Sequence, residues 1–179
     1  MDYKINRKSH VLAILDSIGI ISIVFTIGLI IIFYIRGAQF LQSTLWFFVV
    51  GYLILALPAL FIYLEYYLTD KDVVISVNYE KHELLYKKSN VEKIIAFNDI
   101  IIFQVFGETG NFYWFPSSTF SFARLITKKG EEIYFTKLIK YKLEDIIPSV
   151  RVEKRRWLFP SICLYKYFRT NNEIHLDNR

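Results

Sequence analysis

Few residues in this chain have the types and spacing that catalysis or metal binding requires. The three histidines are dispersed and form neither an HExxH motif nor another metal-binding spacing: His10, His82 and His175. The adjacent acidic pairs Glu131-Glu132 and Glu144-Asp145 point to opposite strand faces or to solvent, so they do not predict an acid–base site. No G-x-S-x-G motif or P-loop is present. We therefore predict a protein that is not an enzyme and has no catalytic residue, metal or cofactor.

The single cysteine, Cys163, lies in a stretch of aromatic and basic residues. One cysteine excludes an intramolecular disulfide framework and argues against a zinc site built from thiolates. The thiol has two possible roles beyond packing, as an activated nucleophile or as an acylation site. Because free cysteines are commonly buried, we expect Cys163 to be a buried and inert thiol instead.

The C-terminal segment 151–169 is basic and aromatic, with six bases and one acid among its residues. Such a segment suits the anionic cytoplasmic leaflet, where each Lys or Arg contributes about 1 kcal/mol near the surface. Alternatively, the aromatic side chains of this segment pack on the soluble domain, and its basic face is exposed to solvent. We favour surface contact, and we predict that lipid or a protein partner is contacted by Arg151, Lys154, Arg155, Arg156 and Trp157.

A second aromatic cluster lies in the segment 107–119 (GETGNFYWFPSST). Clustered exposed aromatic side chains commonly mark contact sites, which favours a loop that inserts into lipid or grips a partner. A strand or covering loop that completes the core explains the same residues equally well. On the first interpretation the contact residues are Phe112, Tyr113, Trp114 and Phe115.

Besides these residues, the chain has two long apolar runs near its N-terminus. The chain has 179 residues, of which 54% are hydrophobic, and the apolar residues concentrate in the first 68. Residues 17–35 and 45–64 carry no charge, and their lengths are 19 and 20 residues. About 20 apolar residues in a helix span the roughly 30 Å hydrocarbon core of a bilayer. The sequence therefore predicts two transmembrane helices.

The charges that flank these runs predict the orientation of the helices. Only residues 36–44 separate the runs, so the two helices are expected to form an antiparallel hairpin. That loop has one base, Arg36, whereas three bases precede the first run and four follow the second. The positive-inside rule then predicts a multi-pass protein of the inner (cytoplasmic) membrane, with both termini and the soluble domain in the cytoplasm. Because neither run contains a charged residue, the hairpin is expected to be an anchor rather than a conduit.

After residue 70 the apolar pattern changes to short β-branched and aromatic runs separated by turn residues. We predict strands at 73–77, 83–87, 91–97, 100–106, 120–127 and 132–136, and an amphipathic helix at 138–150. The predicted division is a two-helix transmembrane hairpin (1–70), a small β-rich α+β domain (71–150) and a basic aromatic segment (151–179). Residues after 68 have a net charge of +4 from 18 bases and 14 acids, too little to indicate nucleic-acid binding.

Residues 94–103 (IIAFNDIIIF) resemble the core of bacterial PH-like domains, in which a strand, a polar pair, an isoleucine and a further strand follow one another. The closing β-hairpin and the amphipathic helix are similar too, and a transmembrane hairpin before such a domain resembles small membrane proteins of the bacterial PH and YcxB-like type. The resemblance implies an antiparallel sheet or barrel closed by a C-terminal helix. It supplies no ligand residue, and the aromatic insertion 107–119 departs from its pattern.

Two functional hypotheses follow from these features. The first is a non-catalytic, membrane-anchored cytoplasmic binding or scaffold module that contacts a protein partner, an anionic lipid surface or both. The second is a membrane subunit or immunity-type inhibitor whose transmembrane hairpin itself contacts a partner. Both hypotheses place the protein in the lipid bilayer with a protein partner or as a homo-oligomer, and neither involves nucleic acid.

Overall fold

The computed structural model describes residues 1–5, 7–107, 120–140, 142–156 and 160–176. It contains three α-helices and eight strands within these ranges. The helices are α1 (Arg7–Ile14), α2 (Ile20–Asp70) and α3 (Ile162–Leu176), and a π-helical turn, Leu15–Gly19, joins α1 to α2. The strands are β1 (Asp2–Lys4), β2 (Val73–Asn78), β3 (Glu83–Lys88), β4 (Val91–Ala96), β5 (Ile100–Gly107), β6 (Ser121–Thr127), β7 (Glu132–Thr136) and β8 (Val152–Arg156).

The two apolar runs form an antiparallel helical hairpin that reverses at Gly37. This residue has φ of 79° and ψ of 174°, a conformation that L side chains rarely adopt, and it interrupts α2. Contacts on either side confirm the antiparallel packing: the Ser22 and Tyr52 hydroxyl oxygens are 3.0 Å apart, and the Phe25 and Phe48 rings meet edge-on at 6.0 Å. The predicted nine-residue loop is wrong in extent, because both helices continue into it and a single glycine makes the turn.

The strands form two four-stranded sheets. Sheet A has the order β1-β2-β3-β4 and is antiparallel throughout. Sheet B has the order β7-β6-β5-β8, and β8 runs parallel to β5. All six predicted strands are present, whereas β1 and β8 were not predicted.

Strand β1 precedes the hairpin in the chain, yet it pairs with β2, which follows the hairpin. Tyr3 lies opposite Ile75, and the N-terminal amine donates to the carbonyl of Val77 at 2.8 Å. Residues on both sides of the hairpin therefore build one sheet. The two ends of the hairpin must accordingly lie close together, on one side of the molecule.

The described strands do not form a closed barrel, which corrects that part of the predicted fold. Within the described residues no hydrogen-bonded strand pair joins sheet A to sheet B. The chain passes from β4 to β5 through a 3₁₀ turn, Phe97–Asp99, which ends the first ladder before the second begins. The sheets instead pack face to face on a shared core that includes Ile75, Leu84, Phe103, Leu125 and Phe135.

The helix predicted at 138–150 is also wrong. Its described residues contain a 3₁₀ turn, Leu143–Asp145, flanked by bends and turns. The apolar residues that suggested a helix are buried in the core between the sheets, namely Ile139, Leu143, Ile146 and Ile147. These residues recur at helical spacing because they are buried, not because they lie on one face of a helix. Pro148 and the irregular backbone prevent a continuous helix. The C-terminal helix is α3, which starts at Ile162, two residues after Pro160.

A second core lies on the other face of sheet B. There the base of α2 and the start of α3 pack against aromatic side chains of β5 and β6, and the buried members include Ala59, Ile62, Tyr66, Phe106, Phe122 and Ile162. The hairpin is thus joined to the β domain by a continuous apolar contact and not only by the polypeptide chain.

Candidate functional site

Three of the four predicted basic contact residues, Lys154, Arg155 and Arg156, lie on β8, the edge strand of sheet B, and Arg151 directly precedes this strand. Its register with β5 runs from Val152 opposite Phe103 to Arg156 opposite Gly107. Val152 packs partly against the core, and the residues that follow it in the strand are exposed. Because successive strand residues alternate, Lys154 and Arg156 project to one face and Arg155 to the other. The bases therefore share one edge of the sheet but not one face.

Neighbouring carboxylates partly neutralise this basic edge. Lys154 Nζ lies 3.0 Å from Glu144, and Arg155 Nη2 lies 3.0 Å from Glu153. Hydrogen bonds from Gln104 and Arg155 lower the pKa of Glu153, so that its carboxylate stays charged. The four predicted bases, with Glu144 and Glu153, give a net charge of about +2, consistent with a weak attraction for anionic surfaces.

The aromatic members of the predicted contact set lie outside the described residues. These are Trp157 and the cluster Phe112, Tyr113, Trp114 and Phe115. The described residues on either side of the aromatic cluster are Gly107 and Phe120, and the Phe120 ring lies 5.5 Å from that of Tyr66 on α2. The described flank of the segment at Phe120 therefore lies beside the base of the hairpin.

The base of α2 is fixed to the domain by two buried polar contacts. The Tyr66 hydroxyl donates to the carbonyl of Pro160 at 2.5 Å, which holds the start of α3 against α2. One turn further on, the Asp70 carboxylate accepts the amide of Thr136 at 3.0 Å and its hydroxyl at 2.5 Å. Both Tyr66 and Asp70 are fully buried. The sequence did not predict this junction. Asp70 follows the second apolar run, where an acid is normally expected to be exposed to solvent.

Outside this base, the hairpin exposes its apolar surface. Two helical stretches, His10–Phe40 and Gln42–Asp70, are long and apolar enough to cross a membrane. Only 6% and 17% of their most apolar segments are buried within the protein. The exposed side chains include Ile23, Ile31, Phe47, Ile54 and Phe61. A helix that formed the core of a soluble domain would instead be covered on most sides.

The outer face of sheet B carries an ionic cluster centred on the buried Arg124. Its Nη2 lies 2.6 Å from Glu132 Oε1, and its Nη1 donates to the Tyr165 hydroxyl at 2.7 Å. Glu132 also accepts hydrogen bonds from Arg169 and, at 2.5 Å, from the Tyr134 hydroxyl. The cluster joins α3 to two strands of the sheet. In the sequence, the feature that points to this cluster is an arginine in the middle of the apolar strand FSFARLIT.

The environment of Glu132 keeps this carboxylate ionised. Burial by itself would raise its pKa, but the hydrogen bonds from Arg124, Arg169 and Tyr134 together lower the pKa from 4.5 to about 2. Burial, together with the hydrogen bond to Glu132, raises the pKa of Tyr134. Both groups therefore keep fixed charge states near neutral pH, which indicates a structural pair and not an acid–base pair.

Cys163 is exposed at the start of α3, so the expectation of a buried thiol is wrong. Its pKa is raised by a hydrogen bond to Glu65 and by partial burial, which favours the unreactive thiol form. Among the described residues, no three His, Cys, Asp or Glu side chains group closely enough to hold a metal ion. His10 and His82 contact Tyr63 and Phe97, respectively, and do not approach each other.

Comparison with known proteins identifies one family. A family model described as a PH domain matches residues 2–147, which include β1, the hairpin and strands β2 to β7. No curated protein and no solved structure matches the chain.

Proposed function

The chain belongs to the PH-domain family, and from this premise we propose that it is a non-catalytic, membrane-anchored binding or scaffold module. In this proposal the hairpin spans the inner (cytoplasmic) membrane. Both termini and the PH domain lie in the cytoplasm, where the domain contacts an anionic lipid surface, a protein partner or both. The observation that carries the proposal is the apolar surface of the hairpin, which is exposed along most of its length.

The position of the basic edge supports a contact with the lipid surface. Strand β8 ends at Arg156, and four residues later the carbonyl of Pro160 bonds to Tyr66 on α2. Four residues of extended chain span at most about 14 Å, so the end of β8 lies close to the hairpin base. The Debye length is about 8 Å at physiological salt. The attraction between these exposed bases and an anionic lipid surface should therefore weaken as the ionic strength rises.

The proposal can be tested with the full-length protein in lipid nanodiscs. We expect the amides of β8 to exchange more slowly in discs that contain phosphatidylglycerol than in discs of phosphatidylcholine alone, and high salt should abolish the difference. The triple change Lys154→Gln, Arg155→Gln and Arg156→Gln should also abolish it. Removal of three exposed lysines elsewhere, at Lys81, Lys128 and Lys129, is the charge-matched control.

Two results would contradict the proposal. If alkaline carbonate released the protein from membranes, the hairpin would not be an anchor. If the control variant lost the lipid-dependent protection as completely as the β8 variant, total charge rather than the basic edge would be responsible.

A groove within the hairpin favours a second candidate function, in which the hairpin contacts the helices of a membrane partner. This groove has a volume of about 320 Å³ and lies between the two helices, where its lining includes Phe25, Leu29, Phe48 and Tyr52. Co-purification from membranes in mild detergent would separate the two functions. A partner lost on Leu29→Trp, which fills the groove, but retained by the β8 variant would favour the second.

A further inference from the structure

A polar cleft lies where the hairpin, the two sheets and α3 meet. Edge strand β4 of sheet A and edge strand β7 of sheet B both line it, together with the end of α2 and the first turns of α3. Its volume is about 300 Å³. This cleft is separate from the basic edge of β8, none of whose residues line it.

Three lysines from three different elements line the cleft. Lys93 on β4 lies 3.0 Å from Glu131, and Lys166 on α3 places its Nζ 4.5 Å from the centre of the Tyr134 ring. The side chain of Lys88 on β3 forms no ion pair with any described residue. The acid Glu132 offers these lysines little compensation, because its oxygens already bind Arg124, Arg169 and Tyr134. The cleft therefore has an excess of positive charge.

One carboxylate in the cleft lacks a cationic partner. Glu65 on α2 accepts the amide of Cys163 at 2.6 Å through Oε1, while its Oε2 is buried and has no hydrogen-bond partner within 3.5 Å among the described residues. Among the described side chains, no Lys, Arg or His lies within ion-pair distance of Glu65. A partly buried carboxylate in this state is costly unless a donor reaches it. The cleft thus contains Lys88 and Lys166 without a carboxylate partner among the described residues, Lys93 paired with Glu131, and an acid, Glu65, that has no cationic partner there.

From this arrangement we infer that the cleft binds a phosphate ester that also carries a primary ammonium group, of the phosphoethanolamine type. Lys88, Lys93 and Lys166 contact the phosphate, and the Glu65 carboxylate accepts the ammonium. A simple anion would satisfy the lysines but would place its negative charge near Glu65. A zwitterion provides a charge of the right sign for both the lysines and Glu65, which gives the site a basis for selectivity.

The ligand has two possible sources, a phosphatidylethanolamine headgroup and a free phosphoethanolamine. The lipid source rests on the proposed function, since Glu65 belongs to the membrane-adjacent end of α2 only if the hairpin spans a bilayer. The free ligand does not depend on that proposal. Titration of the full-length protein in detergent with short-chain phosphatidylethanolamine and, separately, with phosphoethanolamine distinguishes the two sources.

The test compares phosphatidylethanolamine with phosphatidylglycerol, which has the phosphate but no ammonium. We expect the wild-type protein to bind the former about fivefold more tightly, the upper range for a partly exposed ion pair. Glu65→Gln retains an acceptor for the Cys163 amide and should make the two affinities equal. The double change Lys88→Gln and Lys166→Gln should weaken both lipids by about tenfold or more. Lys129→Gln, at an exposed turn between β6 and β7, is the matched control and should change neither affinity.

A second readout uses the exposed thiol of Cys163, which also lines the cleft. Bound ligand should slow its modification by a maleimide, and Glu65→Gln should reduce that protection for the ammonium ligand alone. Equal binding of the two lipids by the wild type, or a preference that survives Glu65→Gln, would overturn the inference. Failure of the membrane proposal would appear differently, as extraction of the protein by carbonate while phosphoethanolamine still binds.

Discussion

At the scale of single residues, the Arg124 cluster shows how a charged side chain is retained inside this fold. Arg124 is 6% exposed, and Glu132 neutralises its charge. Arg124 also donates to the Tyr165 hydroxyl, so that one side chain connects β6 to both β7 and α3. Loss of Glu132 would leave the buried charge of Arg124 without its carboxylate partner, and an uncompensated buried charge is destabilising.

Glu132→Gln should therefore destabilise the protein at neutral pH by about 2 kcal/mol, because Arg124 loses its charged acceptor. The pKa of Glu132 is lowered on folding, from 4.5 to about 2. Its contribution is consequently complete above pH 4.5 and disappears as the pH falls towards 2. The difference in unfolding free energy between variant and wild type, measured by denaturant titration in detergent, should shrink over that interval. An equal change for Glu80→Gln, in an exposed turn, would contradict this assignment.

Single residues also mark the limits of sequence reasoning. An arginine within FSFARLIT is visible in the sequence, but its partners Glu132 and Tyr165 are 8 and 41 positions away. Only the register of β6 with β7 and the docking of α3 bring them together. The basic residues of β8 were visible for the opposite reason, since they are consecutive. Local composition therefore predicts runs of similar residues well, but it does not predict contacts between residues that are far apart in the sequence.

At the scale of elements, α3 stabilises the contact between the hairpin and the PH domain. The Tyr165 ring lies 4.5 Å from that of Phe106 and 5.7 Å from that of Phe122, on the outer face of sheet B. The start of α3 is held to α2 through Tyr66 and Glu65. One helix thus bridges sheet B and α2.

Tyr165→Ala should release α3 locally without unfolding the sheets. Loss of the ring and of the Arg124 contact should cost about 2 kcal/mol, within the range for large-to-small changes. Hydrogen exchange of the amides of α3 should accelerate, whereas those of β6 should change little. Tyr167→Ala is a suitable control, because that side chain is 63% exposed and its loss should alter stability by less than about 0.5 kcal/mol. Equal acceleration in both variants would show that α3 is not held by Tyr165.

The elements differ in how far the sequence specifies them. Strands β2 to β7 have alternating or continuous apolar patterns and clear turn residues, and all were predicted. Strand β8 reads VEKRR and is stabilised by backbone pairing with β5 rather than by burial, so no apolar pattern revealed it. The segment 138–150 shows the reverse error, since its apolar spacing matched a helix while its side chains fill the core from an irregular backbone.

At the scale of the whole molecule, the pairing of β1 with β2 constrains the topology. The hairpin is inserted between two adjacent strands of one sheet, so its two ends must lie on the same side of any membrane that it crosses. The reversal at Gly37 then lies at the opposite end. The positive-inside rule independently predicts both ends on one side from the distribution of charge, and their placement in the cytoplasm stays a prediction.

This topology predicts where engineered thiols become accessible. In a Cys163→Ser background, Ser43→Cys lies beyond the reversal and Lys129→Cys lies in the PH domain, and both positions are exposed. A membrane-impermeant maleimide should label the first in intact cells and the second only after permeabilisation. Met1→Cys needs an additional initiator methionine that is removed after synthesis. This variant should be labelled under the same conditions as Lys129→Cys, because the N-terminal amine donates to the carbonyl of Val77. Labelling of all three from the same side would exclude a membrane-spanning hairpin, and labelling of the N-terminus from the outside would be incompatible with the pairing of β1 and β2.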